Sequence, residues 1–106
     1  MTTARSELSP GEIHLWWFRL DGSVSGGHSL SPDEIARAEA FAFDHLRRRF
    51  VAGRHALRRI LATYAGIGSR SLEIGPDPRG KPVLLQAAGI HFNLAHSGEV
   101  AVLAVA

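Results

Sequence analysis

The chain has 106 residues, 45% of them hydrophobic, and no cysteine. That length suffices for one packed domain and not for two, and the composition excludes a disulfide scaffold or a thiolate metal site. Formal net charge is only +2, but six of the twelve Lys and Arg residues fall between Arg47 and Arg59, a cluster that points to an anionic partner or to a solvated helix face.

Residues 1–11 are expected to form a flexible arm. They lack the apolar core of a secretion signal, and no stretch of the chain has the length of a membrane span, so a cytoplasmic protein without a membrane partner is expected. EIHLWWFRL (Glu12 to Leu20) is short, rich in aromatic and aliphatic residues and closed by Asp21-Gly22, which predicts a strand. Ile13, Leu15 and Trp17 fall on one face and Trp16 and Phe18 on the other, so both faces are expected to be covered. GSVSGGHS is a loop by composition.

A helix start follows. Ser31 is a good N-cap, Pro32 suits the first helical position and Glu34 completes a capping box. Ile35, Ala38, Phe41 and Ala42 then recur at helical spacing and predict the buried side. RRRFVAGRHALRRILATYAG (Arg47 to Gly66) reads as a second helix, or as the first continued after a bend. Phe50, Gly53, Leu57, Ile60, Leu61 and Tyr64 fall on one stripe. Arg47, Arg48, His55, Arg58 and Arg59 are predicted to project away from it. Arg49 lies at its edge, where a guanidinium must lay its stem along the core and aim its head at something polar. Gly66 and Gly68 end the helix.

The last third predicts sheet. SLEIG and VLL read as short strands on either side of the rigid loop PDPRGKP, and IHFNLAH and EVAVLAVA flank Ser97-Gly98 as an antiparallel hairpin. The expectation is one α+β domain, a small antiparallel sheet with helices packed on one face. A terminal strand as apolar as VAVLAVA calls for a covering partner, for self-association or for further chain.

Three features predict a site for a phosphorylated ligand. They are Arg49 with its basic neighbours; RGKP (Arg79 to Pro82), with a glycine for close approach and a mobile lysine; and FNLAHSG, with His96 and Ser97 at a strand end. An Asn-x-x-His pair is usually local hydrogen bonding, and Asn93 is expected to pin the hairpin.

In this order, an arginine-rich helix carrying RFVAGRHALR, then GKP, then FNLAHSG and a hydrophobic strand resemble the N-terminal half of the surfactin-type 4'-phosphopantetheinyl transferases. SPDEIARAEAFAF also fits the stretch that precedes the arginine there, and the resemblance runs from about Ile13 to Ala106. It implies that residues 12–106 are the N-terminal α/β subdomain of a pseudo-twofold fold. The implied reaction transfers the phosphopantetheine arm of coenzyme A to a serine of an acyl or peptidyl carrier protein. By the same resemblance Arg49 and His96 hold the 3'-phosphate of coenzyme A, Arg37 is a more peripheral phosphate contact, and Gly80, Lys81 and Pro82 line the adenine side. Arginine and protonated histidine suit phosphate, with which they form charge-assisted bonds, and Ser97 stands beside them.

Two departures from the family pattern stand out. Ala95 occupies a position that is usually serine, and the acidic motif and later lysine helix that supply the magnesium carboxylates, the base and a phosphate-binding lysine are not in these 106 residues. No acidic pair here has ligand-like spacing, so Mg2+ is expected only in a longer enzyme containing the missing C-terminal half. This chain alone is expected to carry no catalytic and no metal residues. Two other classes fit the basic stretch less well: a nucleic-acid-binding face, which lacks a recognised motif and free stacking aromatics, and an assembly domain that binds an acidic carrier protein without chemistry.

Overall fold

The computed structural model describes residues 8–21, 29–86 and 89–106. Most of the expected arm and of the loop after Asp21 therefore lie outside the described residues. Leu8 packs against the core, and Ser9 and Glu12 bracket a turn in which the Glu12 N–H donates to the Ser9 carbonyl.

Strand β1 (His14–Arg19) leads to helix α1 (Pro32–Glu39) and helix α2 (Asp44–Ala65). A short 3-10 turn (Ser69–Ser71) precedes β2 (Ile74–Pro76), β3 (Pro82–Leu84), β4 (Phe92–Ser97) and β5 (Val100–Val105). The fold is α+β: a three-stranded antiparallel sheet in the order β1-β5-β4, a separate β2-β3 hairpin, and two helices.

α1 starts as the sequence predicts. The Ser31 hydroxyl accepts from the Glu34 N–H, and the Glu34 carboxylate accepts from the Ser31 N–H, closing a capping box. The helix is shorter than expected, however. It ends at Glu39, so Phe41 and Ala42 leave the helical register, and of the predicted buried side only Ala38 is fully buried. α2 is a separate helix, closed by Gly66 in the left-handed conformation (φ 67°) with its N–H donating to the Ala62 carbonyl. Glycine adopts that φ without the clash a Cβ would create. Gly68 instead precedes the 3-10 turn.

The apolar stripe of α2 does what its period requires. Leu57, Leu61 and Tyr64 join Leu72, Phe92, Leu103 and Val105 in the core, with Trp16, Phe18, Ile60 and Leu94 packed around it. Strand register aligns the inward rows across the sheet: His14–Val105–Phe92, Trp16–Leu103–Leu94 and Phe18–Ala101–His96.

The opposite face departs from expectation. Leu15 is 58% and Trp17 70% exposed, because both helices pack on the other side of the sheet. The terminal strand is also not an edge. β5 pairs with β1 on one side and β4 on the other, so its backbone groups are already used within the sheet. What stays open is a face. Among the described residues, no helix is long and apolar enough to cross a membrane.

Candidate functional site

Between α2 and the end of the sheet lies a cavity of about 370 Å³. Arg37 from α1, Arg49 and Arg54 from α2, Pro82 from β3 and His96 from β4 all line it, together with apolar groups that include Leu20, Phe41 and Phe50. Helical spacing puts Arg49, Phe50, Gly53 and Arg54 on one flank of α2. Register puts His96 there too, since alternation gives it the inward face shared with Phe92 and Leu94, at the last inward position of the strand. A cationic rim over an apolar interior suits an anion attached to a flat or apolar body.

A neighbouring recess is bounded by the β2-β3 hairpin, where Gly80 and Pro82 face Arg37, Phe50 and Arg54. The tip of that hairpin is organised by Asp77. Its Oδ1 accepts from the Arg79 N–H at 2.8 Å and from the Lys81 N–H at 2.9 Å, and its own N–H donates to the Lys81 carbonyl at 2.7 Å. Gly80, at φ 84°, supplies the left-handed residue this turn needs. Asp77 is thereby committed to the turn.

Of the seven residues marked by the sequence, Arg37, Arg49, Pro82 and His96 meet at one cavity and Gly80 lines its neighbour. Lys81 and Ser97 line neither; both are exposed. Ser97 shares the open face of the sheet with Asn93 and Ala95, opposite to His96. Asn93 is exposed, and among the described residues its side chain makes no hydrogen bond, so it does not pin the hairpin as expected. Strand pairing and the Gly98 turn do that instead.

The basic stretch is less uniform than its sequence. Arg47 and Arg48 both pair with Asp44, Arg49 lies 3.8 Å from Glu99, and Arg54 lies 3.9 Å from Glu34. Arg58, predicted to project outward, is 1% exposed. It donates from Nε to Glu34 Oε1 at 2.6 Å and from one terminal nitrogen to the Ser69 and Leu72 carbonyls at 3.0 and 2.7 Å. A guanidinium buried against a carboxylate and two carbonyls is stable where an unmatched one is not. Among the described residues Arg59 is the one arginine of this stretch with no carboxylate partner.

Arg54 is the site residue that sequence reasoning missed. Its signal was its place one helical turn after Phe50, on the same flank as Arg49. Among the described residues no group of three or more His, Asp or Glu gathers in a way that could hold a metal ion. Among the described residues the donor set therefore does not fit a magnesium centre.

Comparison with known proteins agrees with this architecture. The family model described as 4'-phosphopantetheinyl transferase, N-terminal, matches residues 23–106. The chain belongs to that family. It is 43% identical over 105 residues to the 4'-phosphopantetheinyl transferase HetI of Nostoc sp. (strain PCC 7120), an alignment covering 92% of this chain and 44% of that protein. It is 34% identical over 76 residues to the 4'-phosphopantetheinyl transferase psf-1 of Bacillus pumilus, covering 72% of this chain and 33% of the relative. It is 31% identical over 81 residues to the human L-aminoadipate-semialdehyde dehydrogenase-phosphopantetheinyl transferase, covering 72% and 26%. The chain thus spans less than half the length of the curated relatives it matches.

Proposed function

We propose that this chain is the coenzyme A-holding half of an enzyme that moves the 4'-phosphopantetheine arm of coenzyme A onto a serine of an acyl or peptidyl carrier protein. The observation that carries this reading is the cavity itself. Arg37, Arg49, Pro82 and His96 come from four different elements and line one hollow, although nearly sixty residues separate the first from the last.

In this reading Arg49 and His96 bind the 3'-phosphate and Arg37 approaches it from α1. The Gly80–Pro82 segment, held by Asp77, lines the adenine side. Arg49 is half-buried with its stem along the core, so it reaches the phosphate pre-aimed, and Glu99 at 3.8 Å is the carboxylate it leaves on binding. Coenzyme A is the substrate that supplies the arm. The magnesium site, the base and the remaining phosphate lysine belong to the other half of the enzyme, which packs on the open Leu15–Trp17 face. This chain alone binds the nucleotide end and transfers nothing.

Titration of the chain with coenzyme A tests the reading. Binding that weakens by about tenfold or more in Arg49→Ala, the worth of one charge-assisted phosphate contact, supports it. Failure to bind, or binding indifferent to both Arg49→Ala and His96→Ala, removes it. Transfer of a fluorescent pantetheine arm to an apo carrier protein by this chain alone, with magnesium, would refute the division of labour.

A further inference from the structure

Glu99 stands between two arginines. It lies in the tight turn that joins β4 to β5, after Gly98, whose left-handed φ of 59° lets the chain reverse. The Glu99 carbonyl accepts from the Leu20 N–H at 2.6 Å, which pins the turn to the end of β1. The carboxylate is held far more loosely. Its Oε1 lies 3.8 Å from a terminal nitrogen of Arg49, and its Oε2 lies 3.7 Å from one of Arg19. Both distances exceed a hydrogen bond, and among the described residues the Glu99 side chain accepts none.

The two arginines are not alike. Arg49 lines the cavity, and its side chain is 34% exposed. Arg19 stands outside that lining and is 68% exposed. It already holds Asp21, through Nε at 3.0 and 3.2 Å and through one terminal nitrogen at 2.7 Å. A guanidinium carries five N–H donors, so Arg19 keeps donors for a second carboxylate. Of the carboxylates paired with arginines of the cavity, Glu34 is buried against Arg58, whereas Glu99 is half exposed and free to turn about its side-chain bonds. A loose pair in water is weaker than a charge-assisted hydrogen bond to phosphate. An arriving phosphate therefore displaces Glu99 from Arg49, and the displaced carboxylate has Arg19 within reach.

We propose that Glu99 is a positioning residue of this site, which holds Arg49 while the cavity is empty and passes to Arg19 when the phosphate of the ligand takes its place, so that Glu99 and Arg19 together set how tightly the nucleotide is held. The inference rests on the reading of the cavity as the coenzyme A site. The empty state gains from such a counterion, because Arg37, Arg49 and Arg54 line one hollow and repel one another. The bound state gains from its departure, because a carboxylate left beside the phosphate repels it. Arg19 biases the exchange by stabilising the carboxylate once it has moved. The nucleotide left after transfer still carries its 3'-phosphate, so the return of Glu99 to Arg49 favours release of that product.

The test is calorimetric titration of the 106-residue chain with coenzyme A. In Glu99→Gln, which keeps the size of the side chain and removes the competing charge, the Kd falls about two- to fivefold, the range of an exposed ion pair. Glu99→Ala carries the same expectation. Arg19→Gln raises the Kd by a similar factor and loses that effect when combined with Glu99→Gln, since no carboxylate is then left to receive. In an Arg49→Ala background most of the gain from Glu99→Gln disappears. A tighter complex is a result that mere loosening of the turn would not produce. An unchanged or higher Kd in Glu99→Gln overturns the proposal, as does an Arg19→Gln effect that is the same with and without Glu99. If Arg49→Ala weakens binding and Glu99→Gln leaves it unchanged, Glu99 falls and the coenzyme A site stands. If the parent chain does not bind coenzyme A, both fall together.

Discussion

Glu34 and Arg58 meet 2.6 Å apart in the interior, one from the first turn of α1 and the other from the middle of α2. The same carboxylate oxygen closes the α1 capping box by accepting from the Ser31 N–H. The Arg58 guanidinium continues to the carbonyls of Ser69 and Leu72, beyond the end of α2. One ion pair thus ties together both helices and the segment that enters the hairpin, which are the pieces that bring Arg37, Arg54 and Pro82 to the cavity.

Removing one partner of that pair strands the other. Arg58→Ala leaves a buried carboxylate without its close cation and takes the donor from two carbonyls, and the expected loss of unfolding free energy is about 3–5 kcal/mol. Arg58→Lys recovers little of it, since one ammonium cannot reproduce the planar fork that reaches Glu34 and two carbonyls at once. Urea denaturation followed by far-ultraviolet circular dichroism measures both variants. A loss below about 1 kcal/mol for the alanine variant would mean that the pair contributes no more than a surface bridge.

Tyr64 plays a similar part on the sheet side. Its hydroxyl lies 2.7 Å from His14 Nδ1 and accepts from Trp16 Nε1 at 2.8 Å, so one oxygen on α2 fixes two consecutive inward residues of β1. Tyr64→Phe keeps the ring and the packing and removes that oxygen. Two polar groups lose their partner without a cavity being created, and the expected cost is about 1–3 kcal/mol. Double-mutant cycles with Trp16→Phe separate the indole contact from the histidine one. Additive effects in that cycle would show that the Trp16–Tyr64 bond is energetically silent.

Local signals in the sequence proved reliable where the physics is local. The capping box at Ser31 and Glu34, the stripe of Leu57, Leu61 and Tyr64, and the hairpin about Ser97 and Gly98 all depend on neighbours within a few residues. What stayed hidden was decided at long range. Arg58 sits beside Leu57 on the helix, and nothing nearby announces that Glu34, 24 positions earlier, will draw it inward. The alternation of β1 was legible, but which face would be covered depended on both helices choosing the same side. Even the terminal strand, read correctly as a strand, took the central place only because β1 returns to pair with it. The candidate site was half legible for the same reason: Arg49 and His96 are conspicuous by type and position, whereas Arg54 needs Phe50, Arg37 and Glu34 around it before its exposure and charge mean anything.

Asp77 links turn chemistry to the site. Its carboxylate holds the N–H groups of Arg79 and Lys81, and its backbone pairs with Lys81, so the start of β3 and Pro82 inherit their position from it. Asp77→Ala is expected to cost about 1 kcal/mol of stability and to weaken coenzyme A binding several-fold by loosening Pro82. Asp77→Asn, which retains an acceptor oxygen, is expected to restore most of both. Denaturation midpoints and calorimetry on the same samples check the pair. An alanine variant that loses stability without losing affinity would place Pro82 outside the working wall of the cavity.

The open face of the sheet makes a different prediction. Leu15 and Trp17 project from β1 on the side away from both helices, where their apolar surface stays in contact with water and contributes little to the folding of this chain. Replacing both with threonine keeps two residues that favour strands while removing most of the exposed apolar surface they carry. The expected change in unfolding free energy is within about 1 kcal/mol. Sedimentation at rising concentration should show less association for the double variant than for the parent, because the contiguous patch across β1 and β5 is broken. A large destabilisation, of the size seen for buried aromatic residues at about 3–5 kcal/mol, would mean that the face is packed by this chain itself. The assignment of that surface to the second half of the enzyme would then be withdrawn.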